Sequence, residues 1–81
     1  MRIDKFLKVS RLIKRRTVAN DVADAGRIEV NGRPVKASYQ VKVGDRITVG
    51  FGQKPVTVQV LSLEGAGSKE VAREMYTVIE E

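Results

Sequence analysis

The hydrophobic period of this chain changes at Gly26, and that change bounds what it can fold into. Before Gly26 apolar residues recur every three or four positions, and from Arg27 to Leu63 they alternate. Ile3, Phe6 and Leu7 form one apolar stripe of a short first helix, leaving Arg2, Lys5 and Lys8 on or near the opposite face. A link through Val9 to Ile13 leads to a second helix from about Lys14 to Ala25, with Val18, Val22 and Ala25 in its stripe and Ala19 and Ala23 beside them. Gly26 follows as a left-handed residue just past the helix end.

From Arg27 the reading is β. Ile28 and Val30 alternate with Arg27 and Glu29, Asn31-Gly32 is the dipeptide that most favours a tight hairpin, and Arg33, Pro34 and Val35 start the return strand. Val41 to Asp45 reads as a strand ending in a turn. Arg46 to Phe51 places Ile47, Val49 and Phe51 on one face, and Val56 to Leu63 gives a further strand. Gly65 to Ser68 is the flexible stretch, with Ser68 capping a short helix through about Met75 and Glu70 in its first turn. Tyr76 to Ile79 closes the sheet as a last strand. The expected fold class is α+β, a two-helix unit packed on a small, mostly antiparallel sheet, with a short C-terminal helix and strand. At 81 residues it is one domain.

The chain has no Cys and no His, which removes disulfides, thiolate metal sites, imidazole bases and Cys/His nucleophile pairs. No catalytic residue, metal ligand or cofactor site is expected. Arg2, Asp4 and Lys5 occupy the place where a signal peptide would need apolar residues, so the sequence reads as cytosolic, with no membrane segment. The net charge is +5, and it is concentrated. Residues 1–16 hold seven basic residues against Asp4 alone, a net of +6, whereas the remainder holds eight basic and nine acidic residues. Such a one-sided distribution is the footprint of an anionic partner, nucleic acid foremost.

Within that segment Arg11, Lys14, Arg15 and Arg16 fall within six positions. With a helix beginning at Lys14, three cations occupy its first turn, where the macrodipole disfavours positive charge by about 0.3–1 kcal/mol each. Asp21 and Asp24 lie towards the other end, so both ends are charged against the dipole. A bound phosphate reverses the sign of that effect, because it meets free N–H groups and guanidinium groups together. Arginine at 11, 15 and 16 suits two-pronged phosphate contact better than lysine does. Asp4 either compensates the dipole of the first helix or pairs with Arg15 or Arg16 and orients it towards RNA.

The stretches "RIDKFL", "RRTVANDVADAGRIEVNGRPV" and "VGDRITV" together resemble the S4 RNA-binding domain over residues 2–50, with 51–81 as a C-terminal extension. Arg2, Asp4 and Lys5 match the opening motif of that family, Arg16 its helix-starting arginine, Gly26 its helix-ending glycine and Asn31-Gly32 its hairpin. Arg15 is a departure, since serine is common there; it removes an N-cap and adds a cation. Across nearly the whole chain the sequence is similar to the free-standing S4 proteins of ribosome-associated quality control and, less closely, to S4 heat-shock proteins. That resemblance implies a ribosome-associated, non-catalytic factor on obstructed large ribosomal subunits, contacting 23S rRNA and peptidyl-tRNA. It would support template-free C-terminal alanine tailing by a partner that recruits alanyl-tRNA. The alternative it implies is rescue of large subunits that carry a nascent chain.

The expected RNA-binding residues are Arg2, Lys5, Lys8, Arg11, Lys14, Arg15 and Arg16, extended by Asn31 and Lys36 on the hairpin unless those two serve only the turn and solvent. Asp4 is the expected orienting residue. The four aromatics are Phe6, Tyr39, Phe51 and Tyr76, and only Phe6 lies among the basic residues, which argues against recognition of single strands by stacking. A rigid basic face that reads phosphate positions in structured RNA fits better, and a monomer is expected.

Overall fold

The computed structural model describes residues 1–50, 55–63 and 74–79. Two helices, α1 (Ile3–Val9) and α2 (Arg16–Asp24), precede five strands: β1 (Ile28–Val30), β2 (Arg33–Pro34), β3 (Arg46–Val49), β4 (Val56–Val60) and β5 (Tyr76–Ile79). The sheet order is β2-β1-β3-β4-β5, and every neighbouring pair is antiparallel. The α+β class therefore holds. The expected helix from Ser68 lies almost wholly outside the described residues, as does Phe51.

The core joins the helix pair to one face of the sheet. Ile3, Phe6 and Leu7 of α1 are fully buried together with Ala19 and Ala23 of α2, Ile28, Ile47 and Val58 of the sheet, and Met75. Each large apolar side chain removed from water in this way contributes about 1.5–3 kcal/mol. The α2 stripe differs from the expected one. Ala19 and Ala23, four residues apart, face the core, while Val18 is 40% exposed, Val22 is half-buried and Ala25 is exposed. Small side chains on the contact face let α2 lie close against α1, and the larger valines are turned to the rim.

Helix α2 ends as the glycine predicts. Gly26 has φ +80°, its N–H donates to the Ala23 carbonyl at 3.0 Å, and the Arg27 N–H donates to the Val22 carbonyl at 3.1 Å. That pair of bonds is the Schellman arrangement. The hairpin is also as expected: Asn31 (φ 53°) and Gly32 (φ 84°) both take positive φ, and Val30 pairs with Arg33.

Two other elements differ from expectation. Residues 41–43 form no regular strand; instead Val41 donates to the Met1 carbonyl at 2.9 Å and Ile3 to the Tyr39 carbonyl at 2.8 Å, with a bridge between Arg2 and Gln40. The segment spends its hydrogen bonds on the N-terminus and thereby fixes the backbone of Arg2. Strand β4 stops at Val60, because the N–H groups of Leu61 and Ser62 both turn to the Met75 carbonyl, at 2.8 and 3.2 Å.

Candidate nucleic-acid interface

Helix α1 ends at Ser10, whose buried hydroxyl donates to the Leu7 carbonyl at 3.3 Å. Arg11 then takes φ 65°, a left-handed conformation that glycine usually supplies. The turn lets Ile13 bury its side chain and donate to the Leu7 carbonyl at 3.0 Å. The chain leaves Ile13 through exposed Lys14 and an extended Arg15 (φ −122°, ψ 132°), and helical geometry begins only at Arg16. Lys14 and Arg15 therefore precede the first turn of α2 instead of filling it, and Arg16 is its single cation. The expected helix start two residues earlier is corrected: reaching the core with Ile13 consumes those residues. Arg15 makes no side-chain cap, in keeping with the missing serine. Lys8, Arg11 and Lys14 line one depression with Val9, so three of the expected cations converge across the helix link.

A second group converges on Asp4. Its side chain is only 3% exposed and lies in the first turn of α1. The Oδ1 atom accepts the Lys5 N–H at 2.8 Å and Arg16 Nη2 at 3.4 Å; Oδ2 accepts Arg2 Nη2 and Asn20 Nδ2, both at 3.3 Å. A buried carboxylate is costly unless paired and hydrogen-bonded, and here both oxygens are doubly engaged. Burial alone would raise its pKa. The hydrogen bonds from Asn20, Arg16 and the Lys5 N–H, together with the Arg16 charge, outweigh burial and hold it below the ordinary 3.8. Asp4 stays ionised at neutral pH. It pairs with Arg16 and Arg2, and not with Arg15.

The side chains of Arg2 and Arg16 remain 45% and 48% exposed. Each uses one Nη2 edge on Asp4, and two cations against one anion leave this point of the surface net positive. One arginine comes from the N-cap position of α1 and the other from the first turn of α2. One buried carboxylate thus fixes the spacing of two guanidinium groups that belong to different helices. Lys5 and Lys8 are exposed on α1.

Asn31 and Lys36 have roles inside the fold. The Asn31 amide donates to Asp45 Oδ1 at 3.2 Å and accepts the Arg46 N–H at 3.0 Å, locking the hairpin turn to β3. Lys36 Nζ donates to the Asp24 carbonyl at 3.1 Å, and the Asp24 carboxylate accepts the Ala37 N–H at 3.1 Å. That accounts for an acid at the unfavourable end of α2: it ties the helix to the segment after the hairpin. Lys36 sits at the last turn of α2 and Arg16 at the first, about 12 Å apart along the axis.

Sequence reasoning missed Asn20, although its spacing of four from Arg16 on α2 put the two on one face. Asp45, expected as a turn residue, is buried and accepts the Tyr39 hydroxyl at 3.0 Å and the Lys42 N–H at 2.9 Å. Burial of Tyr39, then the hydrogen bond to Asp45 and its charge, raise the phenol above 10.0. Phe6 is fully buried, and Tyr39 and Tyr76 are half-buried, so these aromatics are occupied by the core. No helix among the described residues is long and apolar enough to cross a membrane.

The chain is similar in sequence and in fold to known proteins. The S4 domain family matches residues 1–47. The chain is 63% identical over 81 residues to the RQC P-site tRNA stabilizing factor of Bacillus subtilis, covering 100% of this chain and 94% of that one. It is 57% identical to the protein of the same name from Listeria monocytogenes, covering 100% of this chain and 88% of the relative. A solved structure of Vibrio cholerae heat shock protein 15, described as trimeric, superposes with a TM-score of 0.89 at 26% identity, over 98% of this chain and 81% of that one. The chain belongs to the S4 domain family and, within it, to the RQC P-site tRNA stabilizing factors.

Proposed function

We propose that this protein is a non-catalytic RNA-binding factor of ribosome-associated quality control. It binds obstructed large subunits that carry peptidyl-tRNA, contacts 23S rRNA and the P-site tRNA together, and holds one relative to the other. In doing so it supports template-free C-terminal alanine tailing by a partner that recruits alanyl-tRNA, and it works in the cytoplasm on the ribosome. The observation that carries this reading is the Asp4 carboxylate holding Arg2 and Arg16 at fixed spacing while half of each side chain stays open to solvent. Structured RNA presents phosphates at fixed positions, and a pre-set pair of guanidinium groups meets them without paying to order two long side chains. Lys5, Lys8, Arg11, Lys14 and Arg15 supply the surrounding phosphate contacts. The names of relatives that match the full length of the chain support the choice of RNA.

The test is binding of the purified chain to large subunits with and without peptidyl-tRNA, followed by the Arg16→Ala variant. Preference for the loaded subunit, weakened about tenfold or more in the variant, agrees with the proposal. Equal binding to both subunits contradicts it. The superposition on a heat shock protein favours a second reading, rescue of a large subunit bearing a nascent chain. Deletion separates the two: loss of alanine tails on stalled chains supports the first, and their persistence supports the second.

A further inference from the structure

A second feature of α2 concerns which backbone is recognised. A shallow depression beside the paired arginines is lined by Asp4, Arg16, Thr17, Asn20 and Asp21. The carboxylates of Asp4 and Asp21 disfavour a phosphate inside the depression itself, whereas the solvent-exposed side of Arg16 stays open to one. The depression is a good seat for a hydrogen-bond donor. The Asp4 carboxylate, ionised at neutral pH, accepts only, so the Asn20 amide must turn its Nδ2 towards it, as the 3.3 Å contact requires. Asn20 Oδ1 is then left as an acceptor of fixed direction, one helical turn from Arg16, with the exposed Thr17 hydroxyl and Asp21 carboxylate at the same depression.

Resting on the RNA-binding reading above, we propose that this depression is a ribose subsite. Asn20 Oδ1, assisted by Thr17, accepts the 2′-hydroxyl of a nucleotide whose phosphate lies on Arg16. A 2′-hydroxyl is the one donor that every RNA nucleotide has and DNA lacks, and it lies beside the phosphate. The juxtaposition of an acceptor-lined depression with a phosphate-binding arginine therefore makes the contact specific for RNA without reading any base. Asn20 acts both as a positioning residue for Asp4 and as a direct ribose contact.

The experiment uses the full chain and two probes, a large-subunit rRNA stem-loop and a tRNA transcript, each compared with its 2′-fluoro counterpart. The fluorinated strands keep A-form shape and phosphate charge but have no hydroxyl to donate. Wild-type protein should prefer the hydroxyl form of at least one probe by about three- to tenfold, the worth of one hydrogen bond. The probe that shows the preference identifies whether rRNA or tRNA occupies the subsite. Asn20→Ala should bring that ratio to about one, and Thr17→Val, which leaves the shell around Asp4 intact, should lower it. A purely structural role for Asn20 weakens both forms equally and leaves the ratio unchanged; that result, or a wild-type ratio near one, overturns the subsite while leaving the RNA-binding reading in place. Failure of the wild-type chain to bind either probe overturns the RNA-binding reading itself.

Discussion

Asp4→Asn is the perturbation that most directly probes how the interface is organised. The substitution keeps size and shape, but it removes the charge and replaces one acceptor oxygen by an NH2 group facing donors. Four hydrogen bonds converge on the carboxylate at 2.8, 3.3, 3.3 and 3.4 Å. Three of these are long, and the two arginines are half-exposed, so their share is reduced by solvent; the Lys5 N–H bond and the Asn20 bond are the better protected. A net loss of about 1–2 kcal/mol follows, well below the sum of four ideal charge-assisted bonds. For a domain of this size that lowers Tm by about 5–12 °C.

The pH dependence has a definite sign. Because the folded pKa of Asp4 is lowered below 3.8, its contribution to stability is complete above the unfolded value and is lost as pH falls through the folded one. Thermal melts of both proteins from neutral to acid pH should therefore show a gap that is constant near pH 7, begins to close near pH 3.8 and disappears below the folded pKa. RNA affinity should fall about tenfold at neutral pH, with both arginines still present, because their spacing is no longer imposed. An Asp4→Asn protein with wild-type affinity would refute the orienting role, whatever its Tm.

Three further outcomes follow from the geometry. Arg15→Ser restores a capping side chain to α2; Tm should rise by the equivalent of about 0.5–1 kcal/mol while RNA binding weakens, and the two readouts moving in opposite directions is the check. Gly26→Ala should cost about 1 kcal/mol in a denaturant titration, because φ +80° is strained for a side chain even though the added Cβ meets nothing within 4 Å, and RNA affinity measured on the folded protein should not change. Lys36→Ala removes the bond to the Asp24 carbonyl and should lower stability by about 0.5–1 kcal/mol, with less than a twofold change in RNA affinity; a larger loss of affinity would place Lys36 in the interface.

The parts of this fold that were legible in the sequence are those governed by local chemistry. Gly26, Asn31-Gly32 and the alternation through Ile47 and Val49 each impose their geometry over a few residues; the helix end and hairpin formed where expected, and β3 begins at Arg46 as expected and ends at Val49. The start of α2 was not legible in the same way. The basic run looked continuous from Lys14, but the boundary is set by Ile13 reaching the core and by the positive φ of Arg11, neither of which has a local pattern. The α2 stripe was misassigned for a related reason: valines have the stronger apolar signal, yet alanines are what close helix packing selects.

The same division runs through the interface. Asp4 stood out as the one acid among cations, and its pairing with Arg16 was among the arrangements expected. That Arg2 shares the carboxylate depends on Gln40 and Val41 holding the N-terminus, a contact across nearly forty positions. Asn20 carries no charge, and an uncharged polar side chain on a helix gives no local signal that it faces a buried carboxylate. Asp24 opposes the helix dipole when the helix is taken alone, and its reason lies in the contacts with Ala37 and Lys36, which belong to a different segment.

Whether the Asp4-held arginines bind RNA phosphates is read from the salt dependence of binding to large subunits carrying peptidyl-tRNA, measured for the wild-type chain and for Arg16→Ala. Each phosphate neutralised contributes about 0.7–0.9 to the slope of log K against log salt, so the wild type should show a steep linear decline and the variant a slope shallower by about one contact. Binding that does not respond to salt, or an Arg16→Ala slope identical to that of the wild type, would contradict phosphate binding by these arginines.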